Sequence, residues 1–194
     1  MFTFPIQFNP DKLLQEMTEA QQKMALGLQN IGQLREEDIQ YGASEKDAIY
    51  REDKLVLYHF KPLVEDPFPI PLLISYALVN RPYMADLQEN RSLVRNLLKL
   101  GLDIYLIDWG YPGREDRWLT LDDYINGYID TCVDIVRERH GREEINLLGI
   151  CQGGAFSLCY VALHPEKIKN LVTMVLSLIH ISEPTRLNST SRMP

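Results

Sequence analysis

Cys151 stands in the stretch Gly149-Ile150-Cys151-Gln152-Gly153-Gly154, where an apolar run gives way to small residues. A thiol so flanked between a strand and a helix has the form of a nucleophile elbow with cysteine in place of serine. Gly149 and Gly153 lack side chains because strand and helix must approach closely across a strained turn. That turn would hold the thiol out at the C-terminal end of a sheet and aim the N–H of Gln152 at a developing oxyanion. A second donor is expected from the loop after the strand predicted at 72–76, at Leu78 or Val79. The same spacing also suits an inert, buried cysteine in a glycine-rich strand-to-helix turn. It is not a dinucleotide fingerprint, because G-x-G-x-x-G puts glycine where Cys151 stands.

A nucleophilic thiol needs a base, usually histidine oriented by a carboxylate, and in elbow folds these follow the nucleophile in the order acid, then histidine. After Cys151 the chain has His164 and His180, with Glu166 and Glu183 as candidate acids. His164, just before Pro165, is expected at the end of the helix that starts at the elbow, pointing away from the thiol, where it suits the helix dipole. His59 and His140 precede the elbow and are expected in structural or solvent-facing roles. Asp108 stands at the C-terminal end of a predicted strand, on the active edge of the sheet, where capping a helix or anchoring its loop is the expected role.

The elements that must position these residues follow from periodicity. Asn9-Pro10-Asp11 reads as a helix start, followed by an apolar stripe at Leu13, Leu14, Met17, Ala20, Met24, Leu28 and Ile31, which either packs on its own domain or faces a partner. After a polar stretch, residues 54–60 and 72–76 read as strands, the second bracketed by prolines. Residues 90–99 read as a helix stopped by Gly101, and 103–107 as a strand. Thr120 and Asp123 form a capping box opening a helix with Leu121, Tyr124, Tyr128, Cys132, Ile135 and Val136 on one face, so that Cys132 is expected in the core, and Gly141 ends it. Residues 145–150, 153–163 and 171–175 read as strand, helix and strand. This alternation, with strands too uniformly apolar for one-sided burial, predicts an α/β fold whose parallel sheet is covered on both faces. Three units are expected: a helical extension (1–40), an α/β core (41–175) and a tail (176–194) that supplies no covering helix.

Composition sets bounds. The 194 residues are 45% apolar and 24% charged with net charge −7, a globular balance without the basic patch that nucleic acid or anionic lipid would require. Cys132, Cys151 and Cys159 are odd in number and unpaired in spacing, which argues against a disulfide framework or zinc site and fits reduced cytoplasmic thiols. The N-terminal stretch lacks the pattern of a secretory signal. No apolar run is long enough to cross a bilayer as a helix.

Over residues 4–175 the sequence resembles the catalytic subunit of class III polyhydroxyalkanoate synthases, carried by "REDKLVLY", "PLLISYALVNRPYMADLQE", "DIYLIDWGYPG", "LTLDDYINGYIDTCVDIVRERHG", "INLLGICQGGAFSL" and "LHPEKIKNLVTMV". The resemblance implies an α/β-hydrolase fold, here incomplete, in which Cys151 is the nucleophile and accepts a 3-hydroxyacyl group from coenzyme A as a thioester. It implies oxyanion donors at Gln152 and Val79, elbow glycines at Gly149, Gly153 and Gly154, a non-nucleophilic Cys132, and no cofactor or metal. It also implies short-chain substrates such as 3-hydroxybutyryl-CoA, a second noncatalytic subunit, further copies of the chain as partners, and cytoplasmic polyester granules.

After Val175 the family pattern, with a cap domain and two later strands carrying the aspartate and histidine, is not followed. "LSLIHISEPTR" resembles translated vector or adaptor sequence. The chain is therefore expected to carry nucleophile and oxyanion elements without their base, acid and cap, to expose a sheet edge and face, and to turn over negligibly. Two other readings stay open: a cysteine-elbow hydrolase or thioesterase, and a noncatalytic fragment binding through Leu13, Met17, Met24 and Leu28.

Overall fold

The computed structural model describes residues 10–33 and 41–176, and these fall in two units, Met1–Gln40 and Tyr41–Pro194. His180 and Glu183, and the tail from residue 177 onward, lie outside the described residues. Among the described residues of the first unit the helix α1 (Pro10–Gln33) follows the predicted start. Its stripe residues Leu14, Met17, Met24 and Leu28 are exposed.

The second unit runs β1 (Lys46–Glu52), β2 (Leu55–Phe60), β3 (Leu72–Ser75), β4 (Asp86–Gln88), β5 (Arg91–Ser92), α2 (Leu93–Lys99), β6 (Ile104–Asp108), a π-helical stretch (Asp123–Ile129) leading into α3 (Asp130–His140), β7 (Ile145–Ile150), α4 (Gln152–Leu163) and β8 (Ile168–Met174). Six strands form one sheet in the order β1-β2-β6-β3-β7-β8, and β4 and β5 make a separate hairpin. From β6 to β8 the sheet is parallel. At the other edge β2 runs antiparallel to β6 and β1 antiparallel to β2, so that the sheet is mostly parallel, as expected. The polar stretch before residue 54 is itself the edge strand β1. Its outward side chains can be polar because an edge strand buries only part of its surface. The tight turn back to β2 is made by Asp53, in the left-handed region at φ 50°.

Alternation along the strands sorts the core into two layers. Leu73, Tyr105, Ile107, Ile145 and Leu147 face α3 and α4, where Val133, Val136, Phe156 and Tyr160 meet them. Leu72, Ile74, Ile104, Leu106, Leu148 and Ile150 face α2, whose Val94 and Leu98 cover them. Three local readings are corrected. The helix expected from residue 90 starts at Leu93, because Arg91 and Ser92 pair with β4 and the Ser92 hydroxyl caps the helix by accepting from the Arg95 N–H at 2.8 Å. Leu121 is exposed rather than inward, since the π-helical stretch shifts the face by a fraction of a turn. The last strand starts three residues earlier than predicted, at Ile168. The Thr120–Asp123 capping box forms, with the Asp123 carboxylate accepting from the Thr120 N–H at 2.6 Å and the Thr120 hydroxyl accepting from the Asp123 N–H at 3.3 Å. Gly141 ends α3 at φ 57°.

On the α2 side the helix covers only part of the sheet. An apolar groove of about 360 Å³ opens between Leu72, Leu93, Leu97, Leu148, Val172 and Met174, and Val172 at the β8 edge is 52% exposed. An open edge beside an apolar groove favours self-association. Val172→Lys is expected to reduce the chain's sedimentation-measured self-association without lowering its melting temperature. Unchanged association in that variant would clear this face of responsibility.

Candidate active site

The strand β7 delivers Cys151 to the C-terminal edge of the sheet with φ 57° and ψ −123°, a left-handed backbone for a residue that has a Cβ. Such strain persists only where its surroundings over-determine it. Here the Cys151 N–H donates to the Met174 carbonyl of β8 at 2.9 Å, and the Cys151 carbonyl accepts from the Gly154 N–H at 2.9 Å as α4 begins. A Cβ on Gly149 would meet the Gly154 Cα at 2.5 Å and the Ser157 Oγ at 2.6 Å, and one on Gly153 would collide with the Ser75 carbonyl at the end of β3. Glycine at both positions is a steric requirement of the turn. Gly154 is less constrained, with its nearest neighbour, the Gly149 carbonyl oxygen, 3.2 Å away.

The thiol is half-buried and packs on the apolar layer that faces α2, beside Tyr76. Burial, and secondarily the charge Cys151 carries when ionised, pushes the Tyr76 phenol up from its ordinary value, so this ring is a neutral wall of the site. Tyr76 was not singled out from the sequence. Its place as the residue following β3, the strand next to β7, is the signal that could have found it.

Gln152 opens α4, with its N–H among the unpaired donors of a helix start. Its side chain does something the motif did not foretell: Oε1 accepts from the Leu78 N–H at 3.3 Å, fastening the loop after β3 to the elbow. Two more bonds hold this loop. The buried Trp109 indole donates to the Tyr76 carbonyl at 2.9 Å, and Arg81 donates to the Gly110 carbonyl at 2.9 Å. Leu78 thus has its N–H on the Gln152 side chain, and Val79, at 83% exposure, lies on the open side of the loop. Asp108 anchors its own loop, accepting from the Gly110 N–H at 3.0 Å.

No histidine among the described residues approaches the thiol. His164 caps the far end of α4, roughly 18 Å along a twelve-residue helix from Cys151, with Nε2 2.8 Å from the Asn126 side-chain oxygen. Glu166 lies 3.9 Å from the His164 ring. His59 and His140 meet on the buried Asp103, at 2.6 and 3.3 Å. Asp103 precedes β6, so this cluster sits at the opposite edge of the sheet from Cys151. Burial, opposed by the Asp103 carboxylate, lowers the His140 imidazole below its ordinary value. Cys132 is fully buried, and burial pushes its thiol far up, which leaves it inert. No cluster among the described residues could hold a metal ion, and no described helix is long and apolar enough to cross a membrane.

Ser75, whose carbonyl touches the elbow, buries a hydroxyl with no hydrogen-bond partner among the described residues. A buried, unpaired hydroxyl is a net cost. Ser75→Ala is expected to leave stability unchanged or raise it by up to about 1 kcal/mol. A loss of about 2 kcal/mol on denaturant unfolding would reveal a partner for the hydroxyl.

What the arrangement can do is present one strained thiol beside the N–H groups of a helix start, under a fastened loop. Comparison with known proteins places it. A family model for the alpha/beta hydrolase fold matches residues 71–193. The chain is 57% identical over 189 residues to the "Poly(3-hydroxyalkanoate) polymerase subunit PhaC" of Synechocystis sp., covering 97% of this chain and 50% of that protein. It is 61% identical over 174 residues to the protein of the same name from Allochromatium vinosum, covering 89% and 48%. The chain thus spans about half the length of the curated relatives it matches. Among solved structures, a sugar hydrolase from Lactococcus lactis superposes with a TM-score of 0.54 at 14% identity, over 68% of this chain and 53% of that one, a likeness of fold alone.

Proposed function

The chain belongs to the alpha/beta hydrolase fold family, and from that premise we propose that it is the nucleophile-bearing part of a polyhydroxyalkanoate polymerase, in which Cys151 accepts a short-chain 3-hydroxyacyl group from coenzyme A. The observation that carries this reading is the strained Cys151 backbone between two glycines that tolerate no side chain. Identity of 57% and 61% to proteins named as polymerase subunits supports the choice of substrate class.

In the proposed step the Cys151 thiolate attacks the thioester carbonyl. A carbon–sulfur bond to Cys151 forms, the carbonyl oxygen takes the negative charge, and the Gln152 N–H with a backbone N–H of the 76–81 loop, Val79 being the candidate, stabilises it. Collapse breaks the bond to coenzyme A, which leaves as its thiolate and takes up a proton. In the whole polymerase, a base and an acid beyond this chain's described residues would activate the thiol and then the hydroxyl of the next unit, so that the ester chain grows. The noncatalytic second subunit and the granule surface belong to the same proposal.

Incubated with 3-hydroxybutyryl-CoA, the chain is expected to release no more than about one coenzyme A per Cys151 and to retain the acyl group, as a stalled first half-reaction would. Continuous release with free 3-hydroxybutyrate as product would favour a thioesterase. Polymer formed at synthase rates would contradict the assignment of base and acid to residues beyond those described.

A further inference from the structure

Beside the loop that Gln152 fastens lies a second feature that the acyl chemistry does not use. A cavity of about 190 Å³ is walled by the rings of Tyr41, Tyr58, Phe60 and Tyr83, with Lys46 and Asp108 at its polar positions. The Lys46 ammonium sits 5.6 Å from the Tyr58 ring centre and 5.4 Å from that of Phe60, close enough for cation–π attraction. Among the described residues it has no carboxylate partner, and the hydroxyls of Tyr41, Tyr58 and Tyr83 have no hydrogen-bond partner. Asp108 uses only Oδ1, leaving Oδ2 open. The buried Asp86 at the cavity floor is by contrast fully engaged, accepting from Ser44 and Ser92. Gly42 lines the cavity at φ 65°, and a Cβ there would come within 3.1 Å of the Lys46 Nζ.

These groups define a ligand by complementarity. Aromatic walls take a flat ring, an unpaired ammonium takes an anion attached to it, and a free carboxylate oxygen takes an N–H donor on the ring's edge. An adenine nucleotide carries all three: the base, its exocyclic amine and its phosphates. Position agrees. Cys151 packs on the same apolar layer as Phe60 and Leu106 of the cavity wall. Asp108 ends β6, two strand spacings or about 10 Å from β7, while Tyr58 and Phe60 lie on β2 and Lys46 on β1, three and four spacings or about 14 and 19 Å away. The extended pantetheine arm of coenzyme A together with its pyrophosphate is long enough for that gap. We propose that this cavity receives the adenine nucleotide end of coenzyme A while the thioester reaches Cys151 across the 76–81 loop. The inference rests on the acyl-transfer reading and adds to it the place where the carrier is held.

Two probes separate the inference from that reading. Adenosine 3′,5′-bisphosphate, titrated calorimetrically into the 194-residue chain, is expected to bind. Lys46→Met and Tyr58→Leu should each weaken it roughly tenfold, and Lys46→Arg should keep most of the affinity. A nucleotide-free thioester, 3-hydroxybutyryl-pantetheine, should acylate Cys151 equally fast in the wild type and Lys46→Met, which also reports that the variant is folded. Absence of bisphosphate binding, or binding indifferent to Lys46 and Tyr58, alongside acylation by the pantetheine thioester, would overturn the nucleotide site and leave the acyl-transfer reading intact. Acylation of Cys151 by neither thioester would overturn both.

Discussion

Gly153→Ala is expected to lower the stability of the chain by about 3 kcal/mol or more, a fall in melting temperature of roughly 10 °C. The cause is steric. The added methyl would run into the backbone of Ser75 and Tyr76, and backbone at the end of a central strand cannot move aside as a flexible side chain can. Either α4 lifts from β3 or the elbow relaxes, and both unseat Cys151. Gly154→Ala is the internal control. Its methyl meets the Gly149 carbonyl oxygen at 3.2 Å and Leu176 at 3.4 Å, a tight but adjustable fit partly offset by the roughly 1 kcal/mol that alanine gains over glycine inside a helix. Calorimetry of the two variants should therefore separate them widely. Equal melting temperatures would mean that strand and helix do not approach as closely as the elbow requires.

The second large effect is chemical. Cys151→Ala is expected to cut coenzyme A release from 3-hydroxybutyryl-CoA about a hundredfold, to the background of the exposed Cys159, because N–H donors aimed at an oxyanion contribute on that order and only Cys151 has them. Cys132→Ala should leave release unchanged, since that thiol lies fully buried among Val133, Val136 and their neighbours. Cys151→Ser keeps the elbow but replaces a thiol with a hydroxyl that no base among the described residues activates, and should behave as the alanine variant does.

Much of this was legible in the residues themselves. The strand at 145–150, the glycines around Cys151 and the Thr120–Asp123 capping box each announce a local geometry through one strong physical constraint: uniform burial, close approach or a paired cap. What escaped was set by partners distant in sequence. The edge strand β1 reads as polar because only Ile49 and Tyr50 pack against the core. The π-helical stretch turns Leu121 outward without disturbing the apolar spacing that follows. Gln152 reaches back 74 residues to the Leu78 N–H, and Tyr76 comes to the thiol through the pairing of β3 with β7. His59 and His140 share Asp103 through the register of β2 with β6 and the end of α3. None of these pairings leaves a pattern in neighbouring residues.

The central claim, that the elbow makes Cys151 an acyl acceptor, is tested most directly by peptide mass spectrometry after brief exposure of the chain to 3-hydroxybutyryl-CoA at mildly alkaline pH. The account predicts a hydroxylamine-labile 3-hydroxybutyryl adduct on the Cys151 peptide, formed well before any on the more exposed Cys159. An adduct on Cys159 that forms as fast as that on Cys151, or an unmodified Cys151, would contradict it.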